Sequence, residues 1–113
     1  MKRLVYPLIF CLLVAISSVC LEAHILTITI KEPIHPITAE VVIKSIEKAR
    51  QENAQLLIIK LDTPGGLDSS MREMIEAIVS SPVPIVAYVS PSGARAASAG
   101  VFISVGGDIF AMA

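Results

Sequence analysis

The chain has 113 residues, 54% of them hydrophobic and 4% aromatic, and carries a formal charge of −1 at pH 7. A near-neutral balance with no basic run and no ladder of aromatic residues excludes a nucleic-acid surface. The length allows one small domain, and part of the apolar excess belongs to the N-terminal segment and not to a core.

That segment opens with Met1-Lys2-Arg3 and continues as an uncharged, mostly apolar run from Leu4 to Leu21, ended by Glu22. A basic start before such a run is the layout of an export signal, and the run is long for a signal but barely long enough to span a bilayer. Residues 1–23 are therefore expected to act as a signal peptide or as an N-terminal membrane anchor. Ala15 and Ser17, or Ser18 and Cys20, fit the small positions before a cleavage point, although no Ala-x-Ala occurs. A buried core helix fits poorly, because Pro7 should interrupt it. Ser17-Ser18-Val19 before Cys20 lacks the leucine and small residue of a lipoprotein site. Both cysteines, Cys11 and Cys20, lie here, so the rest of the chain is expected to have no disulfide and no thiol chemistry.

Residues 24–113 read as alternating strands and helices. His24 to Ile30 alternates apolar and polar residues and is rich in β-branched types, which predicts a strand with one buried face. Lys31 to Pro36 is a connection. In Thr38 to Asn53 a stripe of Val42, Ile43, Ile46 and Ala49 predicts a surface helix, with Thr38 as its N-cap and Glu40, Lys44, Glu47, Lys48 and Arg50 on the solvated face. Leu56 to Leu61 is a second, apolar strand, so these elements form a βαβ unit.

Asp62-Thr63-Pro64-Gly65-Gly66 follows, then a helix marked by Met71, Met74, Ile75, Ile78 and Val79, with Ser70 and Glu73 as a capping box or Asp68 as the cap. Ser81-Pro82-Val83-Pro84 ends that helix, and the run from Pro84 to Val89 predicts a buried strand. Pro91 to Gly100 then sets Ser98 among the smallest side chains available, with helix-permissive residues from Ala96 to Ile103. Gly106-Gly107 marks the next turn, and Asp108 to Ala113 begins a further strand. Parallel strands are normally covered on both faces, so a chain ending on a strand is expected to be an incomplete domain, marginal if folded alone.

In a parallel sheet the carboxyl ends of the strands lie along one edge, so the Gly65-Gly66 and Ser98 loops should share a crevice. Ser98 would bring a hydroxyl in the field of a helix N-terminus, and the glycines would bring backbone N–H groups clear of side chains. Such groups suit acyl transfer through an oxyanion hole. Taken alone, the small residues around Ser98 read as a helix packed closely on a sheet, with Ser98 as a capping or buried hydroxyl.

A serine nucleophile needs a base. His24 and His35 flank the first strand and read as loop or strand-end residues, Lys60 as a sheet-end lysine snorkelling to water, and Asp62 as a cap for its own loop. No His, Cys, Asp and Glu cluster has metal-ligand spacing, and the diglycine lacks the companions of a phosphate loop, so neither metal nor other cofactor is expected.

The order Asp62-Thr63-Pro64-Gly65-Gly66, helix, Ser81 to Val89, then Gly93-Ala94-Arg95-Ala96-Ala97-Ser98-Ala99-Gly100 resembles the NfeD type of membrane-bound serine protease, of the ClpP class and the ClpP/crotonase fold. The likeness covers Ile25 to Ala113. It implies an α/β fold of repeated β-α-β units on a mainly parallel sheet, incomplete at its C-terminal end, in the partial protease domain of residues 24–113. It implies a serine endopeptidase with Ser98 as nucleophile and the backbone N–H of Ala99 and of Gly65 or Gly66 as oxyanion donors. The lysine of the Ser–Lys dyad would lie beyond Ala113, so these residues alone should be inactive.

The same resemblance implies an apolar polypeptide substrate, a homo-oligomer, association with stomatin-like membrane proteins, and an exported, membrane-associated location on the periplasmic or extracellular side. Two rival readings differ in kind. One is a truncated, inactive relative that binds partners or membranes; the other is a crotonase-type acyl-thioester enzyme, which needs neither an export signal nor a serine here.

Overall fold

The computed structural model describes residues 1–16 and 22–113. The first helix, α1 (Lys2–Ile16), runs through Pro7 without a break. Pro7 therefore does not interrupt the helix as its sequence suggested: a proline holds a helical φ and deletes a single hydrogen bond to the turn before it. Among the described residues no helix is long and apolar enough to cross a membrane. Ser17, Ser18, Val19 and Cys20, on which cleavage and lipidation were read, lie outside the described residues.

The rest of the chain is a four-stranded parallel sheet in the order β1 (Ile25–Ile30), β2 (Leu56–Leu61), β3 (Ile85–Val89), β4 (Ile109–Met112). Between them come α2 (Pro36–Gln51), α3 (Asp68–Val79) and α4 (Ala99–Gly106). Ile30 pairs with Leu61, Leu61 with Val89, and Val89 with Met112, so the strand ends are level. The strand order advances one step at a time, and crossovers of one hand then stack all the helices on one face of the sheet.

That face holds the core. Ile30, Leu57, Ile59, Leu61, Ile85, Ala87 and Val89 alternate into it and meet Ala39, Val42, Ile46 and Ala49 of α2, Met74 and Ile78 of α3, and Ile103 of α4. The opposite face, with Leu56, Ile58, Lys60, Val86 and Tyr88, is half-buried. The second and third strands are thus buried at alternate residues and half-buried between, although the run from Pro84 to Val89 was expected to be a buried strand.

Several local expectations are corrected. The N-cap of α2 is His35, not Thr38: Pro36 takes the first helical position, His35 Nδ1 accepts the Ile37 N–H at 3.2 Å, and Thr38 Oγ1 accepts the His35 N–H at 2.8 Å. The N-cap of α3 is Leu67, which makes no side-chain capping bond; Ser70 is buried inside the helix and Asp68 pairs instead with Arg72 at 2.7 Å. Ile43 and Val79 lie outside the buried stripes, Val79 being 70% exposed, because each stripe is narrower than the apolar pattern.

Candidate functional site

The site is built where β2 and β3 end. Past β2 the chain runs Asp62 to Gly66 into α3; past β3 it leaves through a cis Ser90–Pro91 bond and runs to Ser98, the N-cap of α4. The helix begins at Ala99 and not at Ala96, because residues 95–97 are held in extended pairing with the other loop. Thr63 bridges Ala96 in parallel register, its N–H donating to the Arg95 carbonyl at 2.7 Å and its carbonyl accepting the Ala97 N–H at 3.0 Å. Asp62 does not cap its own loop: its Oδ1 accepts the Arg95 N–H at 3.3 Å.

These bonds bring Ser98 against the diglycine. A Cβ added to Gly65 would stand 2.8 Å from Ser98 Cβ and 3.4 Å from Ala99 N. Gly65 has φ +105°, a conformation that side chains disfavour, so both its backbone and its surroundings require glycine. A Cβ on Gly66 would stand 2.1 Å from the Ile34 carbonyl oxygen, because Ile34, past the end of β1, forms an isolated parallel bridge with it. Ile34 N–H donates to the Gly65 carbonyl at 2.8 Å, and Leu67 N–H donates to the Ile34 carbonyl at 2.9 Å.

The two glycines differ in what their N–H groups do. The Gly65 N–H donates to Thr63 Oγ1 at 3.2 Å and the residue is buried, whereas Gly66 is exposed and its N–H has no partner among the described residues. The Ala99 N–H, first of α4, is also unpaired among them. The Gly65 carbonyl and the Gly66 N–H belong to one trans peptide and point in opposite directions, so the bond to Ile34 turns the Gly66 N–H away from that residue.

Ser98 itself is exposed, with φ +52° and ψ −116°, and its side chain makes no capping bond to α4. A non-glycine residue in such a conformation stores about 1–3 kcal/mol of strain, held by the surrounding loop bonds. Its hydroxyl is unpaired among the described residues. It therefore stands at the positive end of the α4 dipole, next to the unpaired Ala99 N–H, with no acceptor of its own among the described residues.

The bases weighed from sequence are not brought to it. His24 bonds Glu52 at 2.8 Å at the amino-terminal end of β1, the opposite edge of the sheet. His35 caps α2 and faces Glu32 at 3.4 Å. Lys60 is the last residue but one of β2, an inner strand, beside Thr29 and Tyr88 on the face away from the helices. No group of three or more His, Cys, Asp or Glu among the described residues is arranged to hold a metal.

Sequence reasoning gave no role to Thr63 or Ile34, and took Gly100 only as backbone room for a substrate beside Ser98. Thr63 is fully buried, and a Cβ on Gly100 would meet its Cγ2 at 2.8 Å. The signal available was the threonine inside the Asp-Thr-Pro-Gly-Gly run, a hydroxyl in a turn where backbone groups need partners.

Level parallel strands, helices stacked on one face and paired loops at the carboxyl edge define a ClpP-like α/β protein. ClpP1 from Listeria monocytogenes has this fold, with a TM-score of 0.65 at 20% identity over 72% of this chain and 46% of that one. Residues 24–113 match the model of the NfeD1b N-terminal domain, and the chain belongs to that family. It is 38% identical over 114 residues to the membrane-bound protease PH1510 of Pyrococcus horikoshii, which covers all of this chain and 25% of that protein. It is 37% identical over 70 residues to the membrane protein NfeD1b of Bacillus subtilis, covering 62% of this chain and 15% of that one. The structure of 1510-N, a membrane protease specific for a stomatin homolog from P. horikoshii, superposes with a TM-score of 0.76 at 38% identity over 80% of this chain and 46% of that one. A lysine-to-alanine form of 1510-N, solved in complex with a substrate peptide, gives 0.78 over 81% and 42%.

Proposed function

We propose that this chain is the nucleophile-bearing part of a membrane-associated serine endopeptidase. Ser98 Oγ attacks the carbonyl carbon of the scissile peptide bond while its proton passes to a lysine amine outside these 113 residues. The carbon–nitrogen bond breaks, the amine leaves with that proton, and water hydrolyses the acyl-serine. The Ala99 N–H and a diglycine N–H hold the oxygen as it becomes negative, a donor of this kind being worth roughly 2.7–4 kcal/mol in the transition state. Gly66 suits this better than Gly65, whose N–H is already bonded to Thr63.

One observation carries the reading: an exposed, strained serine hydroxyl, unpaired among the described residues, next to the unpaired Ala99 N–H and packed against Gly65 of the diglycine loop. The names of the relatives support the rest, since PH1510 is described as a membrane-bound protease and 1510-N as stomatin-specific. The substrate is accordingly an apolar, membrane-proximal polypeptide of a stomatin-like protein. The enzyme works as a homo-oligomer, and residues 1–23 export the domain or anchor it to the outer side of a membrane.

The decisive experiment uses the full-length natural protein. A serine-directed fluorophosphonate should label Ser98, and Ser98→Ala should lose both labelling and peptide cleavage. Cleavage persisting in Ser98→Ala would remove Ser98 from the mechanism.

A further inference from the structure

We propose that the Thr63 hydroxyl is a positioning group for the oxyanion amide, a role that rests on the serine-protease reading above. Gly65 is buried, so its N–H must find an acceptor inside the protein. The turn supplies one at Thr63 Oγ1, 3.2 Å away, and the same oxygen donates its proton to the Glu32 carbonyl at 2.8 Å. A hydroxyl is able to donate and accept at a single atom, whereas a valine of the same shape does neither.

Through this one oxygen the exit of β1, at Glu32, is tied to the diglycine. Through its main chain Thr63 is tied to Arg95 and Ala97, on either side of Ala96 and leading directly into Ser98. Thr63 is therefore the point at which the loop bearing the hydroxyl and the loop bearing the amide are held in one frame.

The direction of the free Gly66 N–H follows from that frame. Gly65 is anchored at both ends, its N–H on Thr63 and its carbonyl on Ile34, and the trans peptide then fixes where the next N–H points. Gly65 has no side chain to resist rotation, and its φ of +105° lies in a region open to glycine over a wide range. Without the hydroxyl, the anchor on the preceding peptide is lost and the Gly66 N–H is held through the Ile34 bond alone, which loosens its aim and costs orientation at the transition state more than affinity for the substrate.

The test compares Thr63→Val, Thr63→Ser and Thr63→Cys in the full-length natural protein, reading kcat and KM on a peptide substrate and the rate of fluorophosphonate labelling. Thr63→Val should lower kcat and labelling by about ten- to a hundredfold with KM changed by less than about twofold. Thr63→Ser should recover most of that loss although it removes the methyl packed on Gly100. A purely structural threonine predicts the reverse, since serine leaves the larger void. If Thr63→Val does not fold by circular dichroism, Thr63→Cys takes its place, and its weaker acceptor should give a rate between those of wild type and Ser98→Ala. Labelling at the wild-type rate in folded Thr63→Val, or equal losses in Val and Ser, would overturn the role. Failure of wild-type Ser98 to label at all would instead overturn the serine reading, and this one with it.

Discussion

Gly65 and Ser98 stand back to back: a methyl group on the glycine would lie 2.8 Å from the serine Cβ, nearer than two carbons can rest. They are far apart in sequence but are pressed together by the parallel pairing of Thr63 with Ala96. The contact fixes the distance between the hydroxyl and the glycine loop, and it makes that distance sensitive to any added atom.

Gly65→Ala should therefore be destabilising by at least about 2 kcal/mol, since the left-handed backbone and the clash act together. Gly66→Ala should be worse, its new Cβ falling 2.1 Å from the Ile34 carbonyl oxygen. Gly93→Ala is the control: its φ is +87° but nothing lies within 4 Å of the added carbon, so it should cost about 1 kcal/mol. Urea unfolding of the three variants would rank them; a Gly93→Ala loss equal to that of Gly66→Ala would contradict the crowding argument.

Ser98→Gly should raise stability by about 1 kcal/mol, because glycine occupies φ +52°, ψ −116° without the strain that serine bears, less the entropy a glycine loses on folding. Ser98→Ala should bring no such gain. Equal unfolding midpoints for the two variants would mean that the conformation is not strained.

Gly100→Ala sits in the first turn of α4, where alanine normally stabilises by about 0.5–1 kcal/mol. Here the new methyl meets Thr63 Cγ2 at 2.8 Å, and the sign should reverse. Combining it with Thr63→Ser, which removes Cγ2, should restore part of the loss. A double-mutant cycle showing simple additivity would place the two residues out of contact.

On the surface of α2, the hydrogen bonds from Arg50 and then Gln51 hold the Glu47 carboxyl down to about 2, from an ordinary 4.5. A carboxyl lowered in the folded state contributes stability that is complete above 4.5 and disappears as pH falls through about 2. Glu47→Gln should therefore flatten the fall of the unfolding midpoint between pH 4.5 and 2, and added salt should shrink the difference. Parallel pH curves for the two proteins would show that the pair adds nothing to folding.

Much of this arrangement was written in the sequence. Alternation in Ile25 to Ile30, the apolar runs before Asp62 and before Pro91, and the two glycine- and alanine-rich turns specify parallel strands, each ending in a special loop, because periodicity and turn chemistry are local properties. What the sequence left open was which glycine keeps a free N–H, whether histidine or lysine reaches Ser98, and which face of the sheet is covered. Apart from Thr63 claiming the Gly65 amide, a turn bond two residues long, those depend on partners distant in the chain: Ile34 turning the next peptide, and crossovers stacking every helix on one side. Only tertiary structure brings such groups within hydrogen-bond reach, and a hydrogen bond, unlike a propensity, cannot be assigned until both of its ends are known.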